Sequence, residues 1–248
     1  MLLLSSLFFT LTSTQITAAE LNIAVAGNFF KPLKKLSIEF EKNTKHKLNL
    51  SVGSTGKLYA QITHGAPFEI FLAADQKRVS ALVEQKQAVK ESQFTYAIGR
   101  LVLWSKDPDF IDQTEAALSS PNVTYIAIAN PKTAPYGKQA INTLKALGLH
   151  QTLQDKLVLA QNVGQAFQYI SSGNTQLGII ALSQVTANQK LTSGSAWIIP
   201  THLYQPIKQD AVLLKKGESN PVAQAFLDYL KTPIAIEIIR SYGYEVET

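Results

Sequence analysis

Three times before residue 85, an apolar run of strand length passes through a short turn into apolar residues at helical spacing. Leu21, Ile23 and Val25 alternate with small or polar neighbours, and Gly27-Asn28 then leads to Phe29, Leu33, Leu36 and Phe40. Leu48, Leu50 and Val52 run into Gly53-Ser54-Thr55-Gly56, followed by Leu58, Tyr59 and Ile62. Phe68–Ala74 ends at Asp75, followed by Val79, Leu82 and Val83. Period 2 reads as strand and period 3.6 as helix. Strands alternating with helices favour a parallel, doubly wound arrangement, so the fold class is α/β.

The rhythm then changes. Phe94–Trp104 is one long β-like run that is expected to carry the chain into a second lobe, where Val123–Ala129 forms a new buried strand. That strand ends in Asn130-Pro131-Lys132-Thr133-Ala134-Pro135-Tyr136-Gly137, two of whose residues are conformationally stiff prolines, and Ala140, Ile141, Leu144 and Leu147 follow at helical spacing. Leu157–Ala160 leads through Gln161-Asn162 to Val163, Phe167 and Ile170. Each lobe therefore holds two strand-to-helix turns of one kind. Asp210–Leu214 reads as a second crossover, back to the first lobe; Asn220-Pro221 opens a helix, and a last one runs from about Ile234 to Tyr242. The expected division is residues 20–98 with 212–248 in one lobe and 99–211 in the other, a size suited to two small domains.

A net charge of +5, with lysines spread along the chain, gives no basic tract for nucleic acid but suits an anionic ligand. The chain has no cysteine, which removes disulfides, thiolate metal sites and cysteine nucleophiles together. Leu2–Leu4 and Leu7–Leu11 form a short apolar core before Thr17-Ala18-Ala19, which reads as a secretory signal, residues 1–19, too short to span a bilayer. The mature protein is then expected outside the cytoplasm.

The turns carry what chemistry the sequence offers. A helix start leaves unpaired N–H groups with partial positive charge, and small residues there let an anion approach. Ser54 and Thr55 add hydroxyl donors, Asn28 an amide, and Val163 a backbone N–H; an ordinary N-cap role is the alternative for Asn28, Ser54 and Thr55. Tyr136 reads either as a ligand-facing hydroxyl or as a packed loop tyrosine. A phosphate loop is excluded, because only two residues separate Gly53 from Gly56 and Leu58 follows Lys57. Gly53-Ser54-Thr55-Gly56 is also one residue short of a hydrolase elbow, and none of the four histidines is an evident partner. Four helix starts converging on a cleft would suit a tetrahedral oxyanion, which carries acceptors on all sides and no proton.

At this level of detail the chain resembles the periplasmic molybdate-binding proteins that serve ABC transporters, from Leu21 to about Gly243. Ala26-Gly27-Asn28-Phe29 looks like the first ligand turn of that family. Gly53–Ile62, followed by Gly65–Asp75, looks like the second; Pro135-Tyr136-Gly137 resembles the third and Asn162-Val163 the fourth. Glu69 stands where the family more often has Asp. Ala181 stands where some members place a ligand tyrosine, and Asn28 fits the members that manage without it.

The resemblance implies a two-lobed type II solute-binding protein, each lobe a mostly parallel sheet flanked by helices and joined by two crossovers. It implies a periplasmic monomer that is not an enzyme and uses no cofactor, with molybdate, and tungstate alongside it, held by Gly27, Asn28, Ser54, Thr55, Tyr136 and Val163. Which hydroxyl serves at the second turn, Ser54 or Thr55, stays open. The implied partner is the membrane permease of an ABC importer. Alternatives are another oxyanion such as sulfate or phosphate, or a secreted hydrolase using Ser54 or Thr55.

Overall fold

The computed structural model describes residues 19–247; the signal segment expected at residues 1–19 lies outside the described residues except for Ala19. Strand β1 (Glu20–Ala26) passes through a single 3₁₀ turn at Gly27–Phe29 into α1 (Phe30–Thr44). Leu33, Leu36 and Phe40 face the core from α1, which ends at Lys45 in the left-handed conformation, where the Lys45 N–H donates to Glu41 O. Next come β2 (Lys47–Gly53), α2 (Thr55–Thr63), β3 (Ile70–Leu72), α3 (Lys77–Glu84) and β4 (Phe94–Gly99).

Only Arg100 separates β4 from β5 (Leu101–Ser105), and those two strands lie in different sheets. The expected extended run is therefore one strand in each lobe. Beyond it lie β6 (Ile126–Ala129), α4 (Pro135–Ala146), α5 (His150–Leu153), β7 (Leu157–Ala160), α6 (Val163–Ser171) and β8 (Leu177–Ala181). A small hairpin, β9 (Thr186–Ala187) with β10 (Lys190–Leu191), and β11 (Ser195–Ile198) complete this part. The chain returns through β12 (Ile207–Leu213) and ends in α7 (Pro221–Tyr229) and α8 (Pro233–Ser241). Both last helices begin with proline behind a capping side chain, Asn220 accepting from Val222 N–H and Thr232 from Ala235 N–H.

The first sheet has the order β2-β1-β3-β12-β4 and the second β11-β5-β8-β6-β7. In the first, β12 is antiparallel to both its neighbours; in the second, β5 is. Each sheet thus runs four strands one way and one the other. The reversed strand is the one that has just crossed over, and β12 joins the first sheet from Ile207, ahead of the expected return at 212.

Both faces of each sheet are covered. On β1, Leu21, Ile23 and Val25 pack with Leu33, Phe40 and Phe226, while Ala24 on the other face meets Leu58 and Val79 of α2 and α3. That is the period-2 alternation of a strand buried on both sides. Phe40 and Phe226 meet edge to face at 5.1 Å. The second lobe has its own core around Leu103, Ile128, Leu144 and Ile179. Two cores flanking a shared boundary place the strand-to-helix turns of β1, β2, β6 and β7 toward one another.

Candidate functional site

Those four turns meet at one small cavity. Its lining includes Gly27, Asn28, Ser54 and Thr55 from the first lobe and Tyr136 and Val163 from the second, so all six expected residues come together. Ala26, Gly53, Ala74, Ala134, Pro135 and Asn162 fill the gaps between them. Among the described residues, no Lys, Arg, Asp, Glu or His lines it.

Each turn leaves donors free. Thr55 is the first residue of α2 and Val163 the first of α6, while Tyr136 is the second of α4; among the described residues none of their backbone N–H groups has a protein acceptor. These are the orphan donors of helix starts, with the positive end of each helix dipole behind them. Ser54 Oγ caps α2 by accepting from Lys57 N–H at 3.4 Å, and Thr55 Oγ1 accepts from Ala74 N–H at 3.1 Å. Accepting leaves both hydroxyl protons available. The N-cap role and a donor role are therefore compatible at the second turn.

A family model described as bacterial extracellular solute-binding protein matches residues 21–245. The chain belongs to this family. The solute-binding protein is 50% identical to the molybdate-binding protein ModA of Azotobacter vinelandii over 230 residues, 93% of this chain and 91% of that one. Its identity to the protein of the same name from Rhodobacter capsulatus is 47%, over 93% and 90% of the two chains. Among solved structures, the periplasmic molybdate-binding protein of Azotobacter vinelandii superposes with a TM-score of 0.88 at 40% identity, covering 92% of this chain and all of that one.

The two lobes of the solute-binding protein touch around the cavity. Gly56 N–H donates across the cleft to Thr133 O at 2.8 Å, and Lys57 Nζ donates to Gln161 Oε1 at 2.9 Å. On the other flank, Ser183 Oγ donates to Asn28 O at 2.8 Å and Lys31 Nζ donates to Gln184 O. The Lys31 ammonium also sits 4.5 Å from the centroid of the Phe167 ring. Its half-buried position lowers its pKa from the ordinary lysine value.

Behind the first turn, sequence reasoning missed a buried polar group. Asn28 Nδ2 donates to Gln209 Oε1 at 2.6 Å and to the Tyr244 hydroxyl at 2.9 Å, so in this arrangement the Asn28 amide is engaged away from the cavity. Gln209, Tyr96 and Tyr244 are all buried. Burial is the main reason the Tyr96, Tyr136 and Tyr244 phenols have pKa values above the ordinary tyrosine range, which keeps them neutral donors. Asn162, which caps α6 by accepting from Gln165 N–H at 3.0 Å, was also missed as a cavity residue. An Asn at a strand-to-helix turn was the signal that pointed to it.

Proposed function

We propose that this protein captures molybdate, and tungstate with it, between its lobes outside the cytoplasm and hands it as a monomer to the membrane permease of an ABC importer. One observation carries the reading: the cavity collects unpaired helix-start N–H groups from both lobes and the free hydroxyl protons of Ser54 and Thr55, with no charged side chain among the described residues of its wall. A dianion entering it exchanges water for charge-assisted hydrogen bonds, which offset its desolvation without a cation. In this reading capture proceeds without bond chemistry.

In this reading Ser54 donates through its hydroxyl, Thr55, Tyr136 and Val163 through their backbone N–H groups, Gly27 lets the anion come close, and Asn28 supplies a side-chain amide. The lobes divide at Gly99-Arg100 and again between Ile199 and Ile207, and closing about these two joints excludes water. Sulfate is smaller than molybdate, and donors fixed by backbone would leave its hydrogen bonds overlong. Periplasmic export through the N-terminal segment fits the same role.

Titration calorimetry with molybdate, tungstate, sulfate and phosphate tests the assignment. Tight binding of the first two and weak heat from the others is the expected result. Preferential binding of sulfate or phosphate would change the ligand, and ester hydrolysis abolished by Ser54→Ala would replace capture with catalysis.

A further inference from the structure

Gln209 sits at the centre of the polar group behind Asn28. It lies on β12, where a bulge shifts the register so that Gln209 pairs with Ala97 and Asp210 with Thr95, leaving Tyr96 as the extra residue on β4. The side chain is fully buried. Gln209 Oε1 receives Asn28 Nδ2 at 2.6 Å and lies 3.1 Å from the Tyr96 hydroxyl, which donates to Ala73 O at 3.1 Å. Gln209 Nε2 donates to the Tyr136 hydroxyl at 3.2 Å. With Nδ2 committed to Gln209 and Tyr244, the end of the Asn28 carboxamide left for the cavity is Oδ1, an acceptor, and an acceptor facing an oxyanion is repulsive.

Both carboxamides can turn end for end in the same space and keep their side-chain partners. Gln209 Nε2 then occupies the position now held by Oε1, donating to Asn28 Oδ1 and to the Tyr96 hydroxyl, whose own proton stays on Ala73 O. Gln209 Oε1 accepts the proton of Tyr136, and the Tyr244 hydroxyl, which now donates to Asn28 O at 2.9 Å and faces Ser183 Oγ at 3.0 Å, turns its proton to Asn28 Oδ1. Ser183 Oγ still donates to Asn28 O. Asn28 O gives up the Tyr244 proton but keeps Ser183 Oγ and Gln184 Nε2 as donors, so one hydrogen bond moves from Asn28 O to Asn28 Oδ1 and Asn28 Nδ2 is released toward the cavity.

We propose that Gln209 is the positioning residue for Asn28: with the anion bound, Gln209 Nε2 donates to Asn28 Oδ1, the Tyr136 hydroxyl donates to Gln209 Oε1, and Asn28 Nδ2 faces the oxyanion. The proposal rests on the oxyanion reading above. It also gives Tyr136 two jobs, since its hydroxyl selects the Gln209 orientation while its backbone N–H is left for the ligand. Tyr136 belongs to the second lobe and Gln209 to the first, so the contact that aims the Asn28 donor forms only when the lobes meet.

The test combines calorimetry with side-chain amide NMR, using sodium molybdate as the probe. Gln209→Met keeps the volume but removes both ends of the amide, and is expected to weaken binding about tenfold. Placed on Asn28→Ala, the same change should cost less than about twofold more, because Gln209 acts through Asn28. Losses that multiply would assign Gln209 an independent role and overturn the proposal. In the wild-type protein, the Asn28 carboxamide proton signals, identified by their loss in Asn28→Ala, should shift together with those of Gln209 on saturation. This readout stands even if Gln209→Met does not fold. Molybdate binding with both carboxamide signals unmoved removes the proposal alone; no molybdate binding by the wild-type protein removes the reading beneath it.

Discussion

Gly56→Ala separates closing of the lobes from folding. Gly56 is the second residue of α2, and its N–H reaches Thr133 O in the opposite lobe at 2.8 Å. A Cβ added there would lie 2.9 Å from that oxygen and 3.1 Å from Thr133 Cα. Both are backbone atoms, so neither can swing aside, and overpacking of this kind costs about 1–3 kcal/mol. The Cβ would also come 3.1 Å from Arg78 Nη2 of its own lobe, the far end of a flexible side chain that can give way, so the backbone penalty exists only while the lobes are together. In the open form the methyl group meets no opposite lobe, and alanine favours the helix over glycine by ~1 kcal/mol in both forms. The net effect is a shift of the open-to-closed equilibrium by about 1–3 kcal/mol, which raises the Kd for molybdate about 5- to 150-fold. Calorimetry on the variant, paired with thermal melts with and without molybdate, should show weaker binding and a ligand-free midpoint no lower than wild type. A Kd within about twofold of wild type would refute the Gly56–Thr133 contact as part of the ligand-bound state.

Other perturbations follow from the same geometry. Asn28→Ala removes a donor to a buried dianion and should weaken molybdate binding by about 1.5–3 kcal/mol, read by calorimetry. Lys31→Met deletes the contact with Gln184 O and the Phe167 ring across the cleft, and should raise the Kd by an amount corresponding to about 0.5–1 kcal/mol. With no charged group in the cavity wall, affinity should respond only weakly to added salt, and a steep salt dependence would point to a cation at the ligand. Stability should fall above pH ~10, where unfolded tyrosines release protons that the buried Tyr96, Tyr136 and Tyr244 retain. The pKa values of these phenols are raised in the folded state, so their contribution is complete below that pH and is lost as pH climbs through the raised values. An unfolding midpoint that stays flat through that range would contradict their burial.

Much of this architecture was legible because it is local. The strand-to-helix turns announce themselves within a dozen residues each, through a change from period 2 to period 3.6 around small residues, and all six residues chosen from them line one cavity. Asn220-Pro221 opened α7 as its capping chemistry requires. What escaped notice is non-local. Asn28 meets Gln209 across 181 positions of sequence and Tyr244 across 216, and nothing near either residue marks it as a partner. The Asp210–Leu214 run reads as a crossover back to the first lobe, but its insertion as a strand between β3 and β4 is set by pairing, which periodicity does not encode. The full run of β12 includes Lys208, Gln209 and Asp210, polar residues that hide a buried strand from any hydropathy pattern.

The placement of β12 also dictates an order of assembly. Strands β3 and β4 share no pairing of their own; the ribbon that zips them together, β12, is made only after the whole second lobe. A nascent amino-terminal half would therefore carry two unfinished edges, and its maturation has to wait for residue 213. The first lobe, begun at the amino terminus, is thus the last to have its sheet completed.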